Sequence, residues 1–280
     1  MIKLLNRKDN IFGDDIAFIE QWDFSQANTN EGNRIKAITQ VASICYQSPK
    51  ALGSKTLYSR LMAESMGLPS SSFEFVPILL DTLNKKHAEL LKPEYSNVRK
   101  FGETIEEGRY LLTNYRAVVY DYEEHPEQYS FDIRHIYNTE DEAEIIKKYF
   151  TVFLYKVDLP TRSQMVRHRV NWQELSRRYV SGKRVPFEFY ISDKMQDITS
   201  NEHTTQQIID LCVAHYLEAI EKGVKPQEAR RIIPQAAYSQ IWAGFMPTQL
   251  DNFFKLRLDK HAQWEIRKVA EGMQDLMKKA

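Results

Sequence analysis

Apolar residues recur at helical spacing in several parts of the chain. Residues 33–66 and 203–222 show this pattern, and a further helical segment is predicted from Pro77 to Leu90. Pro226, which follows Gly223, indicates the start of another helix. The C-terminal segment predicts the clearest helix, because its apolar positions lie three or four residues apart: Ala262, Ile266, Val269, Met273 and Leu276.

A different pattern marks the run from Tyr149 to Val157. This run is aromatic and β-branched, and it therefore predicts a strand. Residues 95–145 are polar and rich in Tyr and Glu, and their periodicity is weaker. Together these patterns predict an α+β fold in which helices dominate and strands are few.

The composition is that of a folded globular protein. Of 280 residues, 42% are hydrophobic and 27% charged, which is too apolar for a disordered chain. Lys plus Arg and Asp plus Glu both number 38, so the zero net charge argues against a whole surface that binds nucleic acid or acidic membranes. The two cysteines, Cys45 and Cys212, lie far apart and predict neither a disulfide framework nor a metal site. We expect a cytoplasmic protein, since no apolar run could span a bilayer and no signal-peptide pattern is present.

Phosphate-binding loops built on glycine are absent from the sequence. Only ten glycines are present, and none forms the G-x-G-x-x-G or G-x-x-x-x-G-K-[ST] pattern. Side chains must therefore hold any phosphate. Residues 162–184, which we call the basic cluster, contain seven arginines and lysines and one acid, Glu174. Glu174 and Arg178 are four positions apart, which is the spacing of a helical ion pair.

Three interpretations of the basic cluster compete. A solvated charged face fits poorly, because apolar residues such as Met165 and Trp172 lie among the arginines. The second interpretation is a nucleic-acid patch. The third is a site at which guanidinium groups bind an anionic small molecule. If the segment is extended, Arg167 and Arg169 share one face and converge on one anion.

Motifs within the basic cluster carry a family resemblance. Arg167-His168-Arg169, followed after three residues by Gln173-Glu174-Leu175-Ser176-Arg177-Arg178-Tyr179, resembles the signature of the flavin-dependent thymidylate synthases. Residues 223–234, 252–257 and 261–266 are similar to further patterns of that family. The resemblance covers residues 157–275 well and the N-terminal half thinly.

The resemblance implies a fold and a reaction. The fold is a single helix-dominated α+β domain over residues 1–280, with a small mixed sheet and an added inserted element. The reaction is the reductive methylation of dUMP to dTMP, with methylenetetrahydrofolate as carbon donor, FAD as flavin and NADPH as reductant. A homotetramer that binds FAD between subunits is also implied, with no nucleic-acid or membrane partner.

The resemblance further implies the functional residues. The expected dUMP-binding residues are Gln164, Arg167, Glu174, Ser176, Arg178, Arg230 and Arg257. The expected FAD-binding residues are Ser71, Arg167, His168, Arg169, Glu174, Asn252 and His261. Arg257 is the expected catalytic residue, because its permanent charge can stabilise negative charge that develops on the uracil. Ser176 is expected to contact the nucleotide, since the sequence offers no base that would make it a nucleophile.

The sequence departs from the family pattern at several positions. The segment between Arg169 and Gln173 is one residue shorter than usual, which should bring Trp172 close to the site. Pro69 and Phe75 stand where the family has histidines. An Asn-x-Arg flavin segment is replaced by Met246-Pro247-Thr248.

An apparent insertion at about residues 77–148 offers a substitute for the lost segment. It contains Asn114-Tyr115-Arg116 in an apolar-flanked stretch, which predicts a folded and partly buried element. Asn114 and Arg116 are therefore candidate FAD contacts. The alternative is that Arg116 pairs with a local acid, Asp121 or Glu123.

The function also has an alternative. A divergent relative without synthase activity would bind a nucleotide or RNA through the basic cluster.

Overall fold

A computed structural model of the chain describes residues 1–13, 16–63, 68–92 and 96–279. The strands within these ranges are β1 (Lys3–Asp9), β2 (Phe18–Asp23), β3 (Pro77–Asp81), β4 (Glu103–Ile105), β5 (Tyr110–Asn114), β6 (Thr151–Asp158), β7 (Asn171–Glu174), β8 (Thr199–Ser200), β9 (His203–Thr204) and β10 (Tyr238–Phe245). The helices are α1 (Glu31–Tyr46), α2 (Lys55–Met62), α3 (Lys85–Leu90), α4 (Ser96–Lys100), α5 (Tyr115–Glu124), α6 (Glu140–Tyr149), α7 (Leu159–Met165), α8 (Asp193–Gln196), α9 (Thr205–Glu221), α10 (Pro226–Ala229), α11 (Pro247–Arg257) and α12 (Trp264–Met277).

The central sheet contains five strands in the order β1-β2-β6-β10-β7. A second sheet has the order β3-β5-β4, and β8 pairs with β9. The α+β class is confirmed. All described strand pairings are antiparallel, however, whereas the sequence analysis expected a mixed sheet.

Helices cover both faces of the central sheet, so alternate residues of its strands enter two different cores. In β6, Val152 packs on the side of α1, whereas Phe153 and Tyr155 pack on the side of α11 and α12. The predicted apolar stripe of the C-terminal helix is confirmed at four of its five positions, because α12 fully buries Ile266, Val269, Met273 and Leu276. The fifth, Ala262, is half-buried and lies before the helix begins. No helix among the described residues is both long and apolar enough to cross a membrane.

Most of the predicted elements are confirmed, with shifted boundaries. The strand predicted from Tyr149 is β6, which begins two residues later because Tyr149 ends α6. The helices predicted over residues 203–222 and from Pro226 are α9 and α10. The segment predicted over residues 33–66 is divided between α1 and α2, and its last three positions lie outside the described residues.

The helix predicted from Pro77 is wrong in its first half. Residues Pro77–Asp81 form β3, and a helix begins only at Lys85. The run Ile78-Leu79-Leu80 is buried at every position in the interior of the protein. A continuous apolar run of this kind is compatible with a buried strand or a buried helix, and tertiary packing decides between them.

The segment at residues 77–148, which was expected to be an insertion, shares its core with α1. Leu79 and Leu112 belong to the same buried cluster as Ile38. Arg34 of α1 is almost completely buried, and its guanidinium lies 3.9 Å from the centre of the Tyr115 ring. The prediction of a folded, partly buried element is confirmed.

Candidate functional site

A cleft with a volume of about 780 Å³ lies beside the open edge of the central sheet, at β7. We call it the main cleft. Its lining comes from α1, α7, β7, β10 and the segments after β7 and α10, and includes Arg162, Trp172, Gln173, Glu174, Ser176 and Arg230. A cleft of this size, in which polar groups converge among apolar side chains, is typical of a site for a small molecule.

The edge strand β7 positions polar side chains in the main cleft. It pairs with β10, with Gln173 opposite Trp242 and Glu174 opposite Ile241. Because successive strand residues face opposite sides, these two side chains point to different neighbours. Gln173 donates a hydrogen bond to the Cys45 sulfur on α1 (2.6 Å), whereas Glu174 faces α7.

A bidentate ion pair fixes the Glu174 carboxylate. Arg162 on α7 donates from Nε to Oε2 (2.6 Å) and from Nη2 to Oε1 (2.5 Å). Glu174 and Arg178 have the spacing of a helical ion pair but do not form one, because Glu174 ends a strand and the Arg178 Nε contacts Gln227 instead (3.3 Å). The sequence analysis gave Arg162 no role. The available signal was that Glu174 is the only acid in the basic cluster, so that one of the cations had to neutralise it.

A hydroxyl and a guanidinium group also line the main cleft. Ser176 begins the turn that follows β7, and its carbonyl accepts a hydrogen bond from the Tyr179 amide (3.1 Å). The neighbouring arginines 230 and 231 differ, since Arg231 pairs with Glu228 (3.3 Å) whereas Arg230 has no ion pair with any described residue. The charge of Arg230 is thus available to an anionic ligand.

A second pocket, of about 390 Å³, lies between α11 and the turn at residues 166–170. We call it the arginine pocket. Its polar lining includes Arg167, His168, Arg169, Asn252 and Arg257, and no carboxylate is among its described lining residues. Three unopposed guanidinium groups form a donor set for a ligand with several negative charges.

His168 holds the Arg257 guanidinium. The Arg257 Nε donates to the His168 Nε2 (2.8 Å), and Nη2 donates to the Gln164 carbonyl (3.0 Å). Burial, followed by the charge of Arg257, lowers the pKa of His168 to about 4. The imidazole is therefore neutral at neutral pH and can accept this hydrogen bond. Burial also lowers the pKa of Arg257, and the nearby Arg167 charge lowers it further.

The Arg-His-Arg segment is a turn rather than an extended strand. α7 ends at Met165, and the His168 amide donates to the Met165 carbonyl (3.1 Å). The extended geometry considered in the sequence analysis is therefore wrong. Arg167 and Arg169 nevertheless line one pocket. Their convergence on one anion stays a prediction.

Trp172 connects the two pockets. Its side chain lines the main cleft, and its indole Nε1 donates to the carbonyl of His168 in the arginine pocket (2.9 Å). This position agrees with the expectation from the shortened segment.

Comparison with known proteins agrees with this arrangement. Residues 29–280 match the family model described as thymidylate synthase complementing protein. The chain belongs to this family. It resembles the flavin-dependent thymidylate synthase of Pyrococcus furiosus, at 34% identity over 41% of this chain and 49% of the relative. It also resembles the enzymes of that name from Geobacter sulfurreducens, at 28% identity over 46% of this chain and 56% of the relative, and from Aquifex aeolicus, at 28% identity over 71% and 67%.

The extent of these matches differs along the chain. The family model also covers residues 77–148, since its match runs from residue 29 to residue 280. The matched part of this chain spans only about half the length of the Pyrococcus and Geobacter relatives.

The structure separates the residues expected from the family signature into groups. Ser71, Glu174, Ser176 and Arg230 line the main cleft, while Arg167, His168, Arg169, Asn252 and Arg257 line the arginine pocket. Gln164, Arg178 and His261 line neither pocket. The Gln164 side chain donates to Gln263 (2.6 Å), and the exposed His261 ring contacts Asp259 (2.8 Å).

Asn114 and Arg116 have protein partners. The Asn114 side chain caps α5 by accepting a hydrogen bond from the Ala117 amide (2.9 Å). Arg116 forms an ion pair with Glu74, and its Nε donates to the Pro69 carbonyl (3.0 Å). Arg116 therefore pairs with an acid, as one alternative expected, but this acid is not a local one.

The acids that were named as its partners, Asp121 and Glu123, are wrong. Asp121 instead accepts hydrogen bonds from the backbone amides of Asn97 and Val98 in α4. The actual partner, Glu74, is distant along the sequence and becomes a neighbour only in the folded chain.

Proposed function

We propose that this protein is a flavin-dependent thymidylate synthase. It methylates dUMP to dTMP, with methylenetetrahydrofolate as the carbon donor and NADPH as the reductant of FAD. The arginine pocket carries this proposal, because the Arg-His-Arg motif of the family supplies two of its three guanidinium groups and no acid is among its described lining residues. A cytoplasmic location stays a prediction.

The donor set of the arginine pocket fits FAD. Its pyrophosphate carries negative charge that guanidinium groups bind through paired hydrogen bonds. The effect of Arg167 on the pKa of Arg257 is consistent with this fit, since it reflects positive charge concentrated at this pocket. Bound FAD would supply the hydride chemistry of the reaction. The proposed FAD-binding residues are Arg167, His168, Arg169 and Asn252, with Ser71, Glu174 and His261 as further contacts.

The main cleft suits the nucleotide. Ser176 and Arg230 can bind the phosphate dianion of dUMP, and Arg178 lies close along the chain in the turn after β7. The Glu174 carboxylate, held by Arg162, can accept a hydrogen bond from an N–H group of the base.

Arg257 is the proposed catalytic residue. Its guanidinium stabilises negative charge that develops on the uracil ring, and neutral His168 orients it through the hydrogen bond to Nε. A preoriented donor costs little reorganisation when the charge forms. Gln164 supports the same orientation through its backbone carbonyl.

A homotetramer is part of the proposal. Within one subunit, Ser176 and Arg230 lie in the main cleft and Arg257 lies in the arginine pocket. Residues for one substrate are therefore divided between two pockets. This division supports a site assembled from more than one subunit.

A nucleotide- or RNA-binding relative without synthase activity has less support. A nucleic-acid surface needs exposed cations, but several in the basic cluster are engaged within the protein. Arg162 is paired with Glu174, and Arg177 donates to the carbonyls of Val185 (2.6 Å) and Pro186 (3.2 Å).

Anaerobic turnover tests the proposed function. The purified chain is incubated with dUMP, methylenetetrahydrofolate, FAD and NADPH, and dTMP is measured by chromatography. We expect dTMP only when all four compounds are present, together with flavin absorbance that co-purifies with the chain or is taken up from added FAD. A chain that takes up no FAD and forms no dTMP would refute the proposal, and RNA binding by such a chain would favour the alternative.

A further inference from the structure

A third pocket, of about 370 Å³, lies next to the main cleft. We call it the side pocket. Its polar lining consists of hydroxyl and guanidinium groups, among them Ser43, Tyr46, Ser54, Thr56, Arg60 and Arg184. No carboxylate is among its described lining residues, so its two arginines give it a positive charge.

Tyr46 joins the side pocket to the main cleft. Its side chain lines both, at the C-terminal end of α1. On the side of the main cleft, its ring lies 5.9 Å from the ring of Tyr179. On the other side, the Arg60 guanidinium lies 5.8 Å from its centre. A ligand in the main cleft is therefore separated from the side pocket by one aromatic side chain.

The two arginines of the side pocket have donors to spare. Arg60 forms no ion pair with any residue that the structure describes. Arg184 donates from Nη2 to the Gln47 carbonyl (3.1 Å), which leaves its other N–H groups for a ligand. Both side chains are exposed. Arg162 in the main cleft is different, because Glu174 already neutralises it.

The surroundings of the side pocket add positive potential. The sequence from Gly32 to Ala63 contains no Asp or Glu, and Lys50 and Lys55 are exposed within it. The eight-residue helix α2 also begins at the pocket, with Ser54 as its N-cap. The positive end of the helix dipole therefore acts in the same direction as the arginines.

We propose that the side pocket is an anion subsite, which holds the charged end of a co-substrate whose body lies in the main cleft. This inference rests on the proposed function, because that function supplies two co-substrates with suitable ends. A folate can carry a chain of glutamate carboxylates, and NADPH carries a 2′-phosphate. The shared chemistry is a flexible group with several negative charges, which extends past Tyr46 to Arg60 and Arg184.

Steady-state kinetics separate the two sources. We compare the wild-type protein with Arg60→Gln, Arg184→Gln and the double variant. Arg109→Gln is the matched control, because Arg109 is an exposed arginine that pairs with Asp81 (3.2 Å) and lines none of the pockets described above. Folates with one and with five glutamates are used, and NADPH is compared with NADH.

The expected result is a selective change in KM. If the subsite holds carboxylates, the double variant raises the KM of the five-glutamate folate about tenfold, while the KM of the one-glutamate folate changes less than twofold. If it holds the phosphate, the KM of NADPH rises about tenfold and that of NADH is unchanged. The kcat values and the KM of dUMP stay the same, and added salt reduces either preference. Equal KM values in all variants for all four compounds would overturn the proposal.

Direct binding distinguishes the subsite from the proposed reaction. Affinities of the same four compounds for the full chain are measured by calorimetry, without turnover. A wild-type preference for the more charged partner of either pair, lost in the double variant, would support the subsite even if no dTMP formed. The absence of any such preference would overturn it even if dTMP formed. Thermal melting checks that every variant is folded.

Discussion

The Arg257 Nε and the His168 Nε2 are 2.8 Å apart, so a permanently charged guanidinium group is held by a histidine that must be neutral. Protonation of His168 would remove the acceptor and place two cations in contact. The charge needed in the arginine pocket thus depends on the absence of charge on its neighbour.

This relationship predicts acid sensitivity. Because the pKa of His168 is about 4 in the folded chain and the ordinary value is 6.5, the unfolded chain binds a proton in this interval that the folded chain does not. Stability is therefore lost as the pH falls from 6.5 towards 4. Between pH 7 and pH 4.5, the free energy of unfolding in urea should fall by about 2 kcal/mol less for His168→Gln than for the wild type. The same substitution at the exposed His203 is the control, and identical pH profiles for His168→Gln and the wild type would contradict this assignment.

The second prediction concerns turnover and Arg257. Arg257→Ala should reduce kcat by about two to three orders of magnitude, the usual scale for the loss of one donor that stabilises developing charge. Arg257→Lys keeps the charge but loses the oriented Nε donor, so an intermediate rate is expected. FAD uptake, measured by absorbance, should largely survive. Lys255→Ala, on the exposed side of the same helix, should have near wild-type activity. A fully active Arg257→Ala protein would exclude Arg257 from catalysis.

The third prediction concerns the ion pair in the main cleft. Arg162→Gln should weaken dUMP binding about tenfold, because Glu174 loses the partner that fixes its carboxylate. FAD binding should be unaffected. The double variant Arg162→Gln with Glu174→Gln should lose less dUMP affinity than the sum of the losses of the two single variants, since the two side chains act as a unit. Lys183→Gln, which removes an exposed cation of the basic cluster, is the control. Additive losses in dUMP affinity would mean that the two residues act independently.

The fourth prediction concerns Arg116. Arg116→Leu should lower the free energy of unfolding by about 2 kcal/mol, because it leaves the part-buried Glu74 carboxylate without its cation. Burial already raises the pKa of Glu74 against the opposing effect of Arg116, so the unpaired acid should take up a proton more readily. Adding Glu74→Gln should recover part of the loss in urea unfolding. The FAD affinity of the folded Arg116→Leu variant tests whether Arg116 also contacts the flavin, because a tenfold fall in affinity would identify it as a flavin contact.

Short-range patterns in the sequence predicted the helices and strands whose apolar periodicity extends over many residues, and the motifs whose residues are close along the chain. The apolar stripe of α12 and the strand β6 could be identified in this way, as could the motif that supplies Arg167 and Arg169. The run at Ile78 could not, because a short apolar segment has the same pattern in a buried strand as in a buried helix.

The side-chain partners in the site could not be predicted for a different reason. Arg162 and Glu174 lie on a helix and a strand that meet only when β7 pairs with β10. Arg116 and Glu74 are separated by 42 positions and meet across the inserted element. No spacing rule connects such residues, so the sequence predicts that a buried charge is paired but not with which partner.

The position of β7 also fixes the directions in which two side chains of the signature motif point. A shift of one residue in this strand would exchange the directions of Gln173 and Glu174 and turn the carboxylate away from Arg162. Pairing with β10 prevents that shift. A change of length within β7 itself should therefore abolish the site, whereas a change of length in the turn before the strand would leave these side-chain directions unaltered.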